Sequence, residues 1–391
     1  MNKENIMKLI FGAILFCSLV LPSSAGQLSF GLQYDGWNSN YLITQTGAST
    51  NQGYEFWLPF ALNLNLDKGI QVYGQGTLAN GSYTFPPDTT GDNSTVNLTN
   101  LTDTVVGGEF QFKSLGLSSL VNVSLNLPTG DPTWESKQIV AMIPTEFLDY
   151  RYRGRGFGFN ALYGVSIPAG KNSFGVGAGY LHSGTFNPTG DPAGTLQLGD
   201  NIFVALNFIQ NGSNDYREIA RLSCYYSLTT QIDGVDQFQL GTNLNASYSW
   251  VNPHGFSLDA GGQYFYSSRR LEDQNLTTEP YNYYGPRVYL APSYALGDIK
   301  ISGQAKYVFA NDYPEFSNGA ANTYYFGGGW LFGVGPSWKA TLDDKSSLNI
   351  FGAYDFISQN NVPVVPSDPT QGNTRAYFNY WTIGTNYQIN L

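Results

Sequence analysis

Cysteine and histidine are nearly absent, with two of each in 391 residues. Cys17 falls within an apolar N-terminal run, which leaves Cys224 alone in the rest of the chain. That excludes an intrachain disulfide framework and a cysteine-based metal site. Charge is also scarce: Asp, Glu, Lys and Arg together make up 12%, about half the share of an ordinary soluble domain. The net charge of −10 argues against nucleic acid as a partner. Past the N-terminal run no stretch has the length and apolarity of a transmembrane helix, and no useful helical periodicity appears. No phosphate-cradling glycine loop, dinucleotide fingerprint or metal-ligand spacing is visible, so no cofactor and no metal are expected.

What is present begins with an export signal. Lys3 and Lys8 precede the apolar run Leu9 to Leu21, and Pro22-Ser23-Ser24-Ala25-Gly26 supplies the small residues of a cleavage site. Residues 1–26 are therefore read as a signal peptide and 27–391 as the mature protein. Phe16 stands where a lipoprotein signal needs a small residue before its cysteine, so Cys17 is read as part of the discarded signal.

Two-residue alternation then runs to the last residue. Trp381, Ile383, Thr385, Tyr387, Ile389 and Leu391 alternate with Thr382, Gly384, Asn386, Gln388 and Asn390. A strand sends successive side chains to opposite faces, so one face is apolar and the other polar. Phe238 to Trp250, Phe56 to Leu64 and Ile299 to Phe309 repeat the pattern. A chain built of such strands needs a closed sheet in lipid, because unpaired edges cannot face hydrocarbon. Short polar turns are expected at 66–69, 113–116, 168–172, 210–214, 251–255, 297–298 and 343–345. Long connections are expected at 36–52, 83–103, 128–155, 184–199, 229–236, 268–284, 310–323 and 358–374. Their strict alternation predicts an all-β, antiparallel up-and-down transmembrane barrel of about sixteen strands (between fourteen and eighteen), with short periplasmic turns and long extracellular loops. Strand one starts almost at the mature N-terminus, which leaves no room for an N-terminal plug.

Aromatics at strand ends predict interfacial girdles: Tyr34, Trp57, Trp250, Tyr264, Tyr294, Trp330, Trp338 and Trp381. The bland alternative is the ordinary preference of aromatics for strands. A barrel this wide should enclose a lumen. Alternation places Glu109, Arg221, Asp259, Arg287, Lys300 and Lys306 on its wall, with Gln75, Asn160, Gln239, Asn243 and Gln263 as polar neighbours. Charges there set electrostatic selectivity or merely pair along the wall; both readings stay open. The longest loop carries an apolar segment, Gln138 to Pro144, and then Arg151, Arg153 and Arg155, which read as a solvated loop base, with a site for lipopolysaccharide phosphates as the alternative. Thr-Gly-Asp occurs at 90–92, 129–131 and 189–191 and reads as turn chemistry. A hydrolase at the barrel rim would have only His182 or His254 to build on, so the chain is expected not to be an enzyme.

The stretch Val123-Ser124-Leu125-Asn126-Leu127-Pro128-Thr129-Gly130-Asp131 resembles a strand-to-loop signature of the meta-pathway phenol-degradation family of outer-membrane proteins, relatives of long-chain fatty-acid transporters. Gly177 to Phe186 is similar to strands of the same barrels. The resemblance implies uptake of hydrophobic or aromatic compounds. Those transporters carry an N-terminal hatch that this chain has no room for, so a porin-like channel is expected rather than gated lateral uptake. The expected partners are outer-membrane lipid, lipopolysaccharide and small solutes. A homo-oligomer or a periplasmic partner, such as a cytochrome held in a structural sleeve, is the alternative.

Overall fold

The computed structural model describes residues 26–44, 47–84, 95–132, 154–187, 195–212, 216–269, 281–309, 311–317, 320–326, 328–362 and 374–391. Among them sixteen strands form the wall. In chain order these are β1 (Gly26–Thr44), β2 (Gly47–Asp67), β3 (Ile70–Thr84), β4 (Thr104–Ser114), β5 (Leu117–Leu127), β6 (Gly158–Ala169), β7 (Asn172–Ser183) and β8 (Asn201–Asn211). The second half holds β9 (Arg217–Ser227), β10 (Val235–Val251), β11 (Phe256–Arg269), β12 (Arg287–Leu296), β13 (Ile299–Val308), β14 (Gly329–Thr341), β15 (Ser346–Val362) and β16 (Thr374–Asn390). Each pairs antiparallel with the next. The ring closes where β1 pairs with β16, from Gln27 opposite Asn390 to Ser39 opposite Phe378. Closure leaves the wall without an edge, which is the condition for crossing hydrocarbon with strands.

Among the described residues the expected short turns lie at one end; Ser213 and Asn214 of the turn expected at 210–214 lie outside the described residues. Leu115 and Gly116 (φ 53° and 80°) form a two-residue turn of the kind whose twist matches antiparallel strands. At 251–255, the His254 N–H donates to Asn252 Oδ1 at 2.9 Å and Gly255 adopts φ 84°.

The outer face is apolar. Leu58 and Val204 keep nearly half of their surface exposed and Ile383 62%, although each sits mid-strand. So much contiguous exposed apolar surface is unstable in water and matches the lipid-facing band of a membrane barrel. The chain is thus a barrel of the bacterial outer membrane.

Several expected long connections are partly sheet. Residues 36–52 belong mostly to the β1–β2 hairpin, paired up to Thr44 opposite Gly47. Thr95–Leu101 continues β4 along β3, and Tyr281–Tyr284 continues β12 along β11. Asn311–Ser317 and Ala320–Phe326 form their own hairpin. Thr185–Phe186, Leu196–Gln197 and Thr230–Ile232 build a small sheet at the rim. Strands can run past the lipid because ladder hydrogen bonds do not require an apolar face, so the loss of alternation did not mark where pairing ends. Outside the described residues lie the export signal up to Ala25, the first Thr-Gly-Asp, Thr189-Gly190-Asp191, Gln138 to Pro144, Arg151 and Arg153.

Candidate functional site

The site is the inner wall. Its face follows from the register: residues opposite Leu58, Val204 and their row face lipid, and the alternate residues face the lumen. All six charged candidates occupy this inner face. Glu109 lies opposite Gln71 and Asn122, and accepts a bond from Gln111 Nε2 at 2.6 Å. Arg221 lies between Asn207 and Ser247. Asp259 lies between Ser249 and Ala291 and accepts from the Tyr289 hydroxyl at 3.2 Å. Arg287 is opposite Gln263 and Val308, Lys306 is opposite Tyr289 and Leu331, and Lys300 is opposite Ala295 and Ser337. The polar neighbours Gln75, Asn160, Asn243 and Gln263 share that face, and Gln263 Nε2 donates to Asn243 Oδ1 at 2.9 Å.

One expectation is overturned. Trp57 is not part of a girdle. It lies opposite Gln33 and Ala79 on the inner face and is 2% exposed. Phe56 and Leu58 take the lipid side, so alternation leaves Trp57 pointing inward. Trp330 and Trp338 do face outward, each with more than two-fifths of its surface exposed.

The wall differs from one side to the other. Around β14, β15, β16 and β1 to β3, the inward side chains Trp37, Trp57, Tyr83, Leu331, Ile357 and Phe378 are almost fully buried. The Trp37 and Tyr83 rings lie 5.5 Å apart between centroids. Three carboxylates are buried among them. Asp35 accepts from Gln33 Nε2 at 2.8 Å and Thr382 Oγ1 at 2.7 Å; Glu55 accepts from the Tyr83 hydroxyl; Asp355 accepts from Gln304 Nε2 at 2.6 Å. Hydrogen bonds of this kind are what make a buried carboxylate tolerable.

Cavities of about 440 Å³ and 460 Å³ open beside β3 and β4. Both are lined by Gln75, Asp103 and Val105. Asp103, which the sequence did not mark, fastens the base of the longest loop. Its oxygens accept from Asn126 Nδ2 at 2.8 Å, the Gly130 N–H at 2.9 Å and the Arg155 N–H at 2.6 Å. The second Thr-Gly-Asp is therefore a fastening turn: Thr129 Oγ1 also donates to the Thr102 carbonyl at 2.8 Å.

His182 sits at the loop end of β7 on the outer face, its ring tilted against that of Phe159, with its Nδ1 2.9 Å from Asp200 Oδ1. The Tyr180 hydroxyl and the Ser183 N–H also donate to Asp200. Burial works to raise the Asp200 pKa, but these bonds and the nearby imidazole outweigh it and hold the carboxyl below its ordinary value. Among the described residues no hydroxyl hydrogen-bonds His182 as a nucleophile would, so the pair reads as a fastening of the rim.

No protein-family model and no curated protein matches the chain. Solved structures similar to it are bacterial outer-membrane barrels. An anion-selective porin from Comamonas acidovorans is 12% identical with TM-score 0.46, covering 94% of this chain and 100% of that one. A mutant of the monoaromatic hydrocarbon channel TodX is 8% identical with TM-score 0.43, covering 95% and 92%. An outer membrane channel from Pseudomonas putida F1 is 12% identical with TM-score 0.36, covering 74% and 97%. At these scores the likeness is one of barrel outline.

Proposed function

We propose that this barrel is a channel that lets small solutes, hydrophobic or aromatic compounds among them, cross the outer membrane, and that it is not an enzyme. The observation that carries this is the inner wall, where solvent-exposed charged and amide side chains stand beside aromatic rings and open cavities. The resemblance of residues 123–131 and 177–186 to the phenol-degradation family supports aromatic cargo. On this reading residues 1–26 are removed on export, the outer face meets lipid and lipopolysaccharide, and Glu109, Arg221, Asp259, Arg287, Lys300 and Lys306 line the path. A sleeve around a folded partner fits less well, because the buried cluster at Trp37, Trp57 and Phe378 takes up room on one side of the lumen. Purified barrel in a planar bilayer should give stepwise conductance. Cells carrying it should take up members of a panel of hydrophobic and hydrophilic solutes faster than cells without it. A folded barrel with neither property would refute the reading.

A further inference from the structure

The inner-wall charges are segregated. Among the described side chains, the inner face of β9 to β14 carries Arg217, Arg221, Arg287, Lys300, Lys306 and Lys339 against one carboxylate, Asp259. On the rest of the wall, β15, β16 and β1 to β4 carry Asp355, Asp35, Glu55 and Glu109, with Asp103 just ahead of β4, against Lys113 alone; Asp355 borders the basic set, accepting from Gln304 on β13. The two sets differ in what a solute meets. Asp35, Glu55 and Asp355 are at most 5% exposed and satisfied by hydrogen bonds. Arg217, Arg221, Lys300 and Lys339 are exposed and, among the described residues, in no ion pair. Charges in contact with water in the path set its potential. The exposed charge on the inner wall is therefore mostly positive, although the whole chain is acidic.

A second feature lies on the same wall. Arg221, Ser247, Gly261, Tyr289 and Lys306 stand in one row across β9 to β13, each opposite the next. The Tyr289 ring lies over Gly261, where a Cβ would come within 2.6 Å of it. Its hydroxyl donates to Asp259 Oδ1 at 3.2 Å. Five strands span about 19 Å of wall. Arg221 and Lys306 reach in from either end of the row, with the ring between them. A guanidinium offers a carboxylate two parallel donors, and an aromatic face stacks with another ring.

We infer that the path along β9 to β14 prefers anions and, among them, small solutes joining a planar ring to a carboxylate, with Arg221, Tyr289 and Lys306 as the contacts that select them. This rests on the channel reading above and narrows its cargo.

The test is reversal potential in planar bilayers under a potassium chloride gradient, and then with potassium benzoate or acetate replacing the chloride, on barrel whose folding is verified by heat-dependent migration. The unaltered channel should favour chloride over potassium. The double variant Arg221→Glu/Lys300→Glu should move that ratio at least about fivefold towards potassium at 0.1 M salt, and less at 1 M where screening is stronger. Tyr289→Leu should lower the benzoate-to-acetate permeability ratio several-fold, and Tyr289→Phe, which keeps the ring, should leave that ratio near the parent's. A cation-preferring channel, or a double variant of unchanged selectivity, overturns the electropositive path. A benzoate-to-acetate ratio indifferent to Tyr289→Leu overturns the ring contact. A reversal potential of the wrong sign refutes only this inference, whereas a folded barrel that never conducts refutes the channel reading and this inference with it.

Discussion

Asp103→Ala should loosen the long loop while leaving the barrel closed. The carboxylate accepts three N–H groups at 2.6 to 2.9 Å, two of them from the backbone of Gly130 and Arg155 on either arm of the loop base. A hydrogen bond to a charged group contributes about 1.5 to 3 kcal/mol. Asp103 is only half-buried, so water can replace part of what is lost. A local loss of about 2 to 4 kcal/mol follows, rather than the full sum of three bonds. Every 1.4 kcal/mol is about tenfold in an opening equilibrium, so the base should open roughly 30 to several hundred times more often. Limited proteolysis of folded barrel in detergent reads this directly, since cleavage follows the open population when reclosing is fast. Cuts should fall within 133–153, while the melting temperature of the barrel changes little. Asp103→Asn keeps one acceptor oxygen and should fall in between. If the alanine variant is cut no more than about threefold faster than the parent, Asp103 is not what holds the loop base.

Two further perturbations probe other parts of the wall. A Cβ at Gly335 would meet the Gly352 carbonyl at 2.3 Å, whereas one at Gly74 finds its nearest neighbour at 3.9 Å. Gly335→Ala should therefore cost about 1 to 3 kcal/mol of refolding stability in urea, and Gly74→Ala should cost next to nothing; equal effects would contradict the register between β14 and β15. The lowered Asp200 pKa has a definite sign. Its stabilising contribution is full above the ordinary value of 3.8 and is lost as pH falls through the lower folded value. The Ser183 amide should lose exchange protection below about pH 4, and Asp200→Asn should remove that acid dependence; protection independent of pH in the parent would contradict it.

The barrel was legible because its code is local. A period of two is visible in any ten residues, so the strands near Ile383, Leu244 and Ile301, the turns at Leu115-Gly116 and Gly297-Asp298, and the inner faces of Arg221 and Lys306 follow from neighbouring residues alone. Trp57 shows where that code falls silent: with Phe56 and Leu58 beside it, both faces are apolar, and only the register with Gln33 assigns it inward. Asp103 escaped because it stands between paired stretches, and its partners Gly130 and Arg155 lie 27 and 52 residues away. The uneven lumen escaped for a related reason. Alternation says that Asp35 and Arg221 both face in, but it cannot say that one is buried under neighbouring strands and the other is open to solvent.

Alternate residues of one strand meet lipid and water, and two neighbouring positions on β8 test this. Val204 faces outward at mid-strand and Ala205 inward. Arginine on the lipid face near the bilayer midplane costs about 2 to 4 kcal/mol, whereas the lumen tolerates it. Reversible folding into lipid vesicles should show Val204→Arg destabilised by about that amount and Ala205→Arg nearly unchanged. Equal stabilities for the two variants, or the larger loss at Ala205, would contradict it.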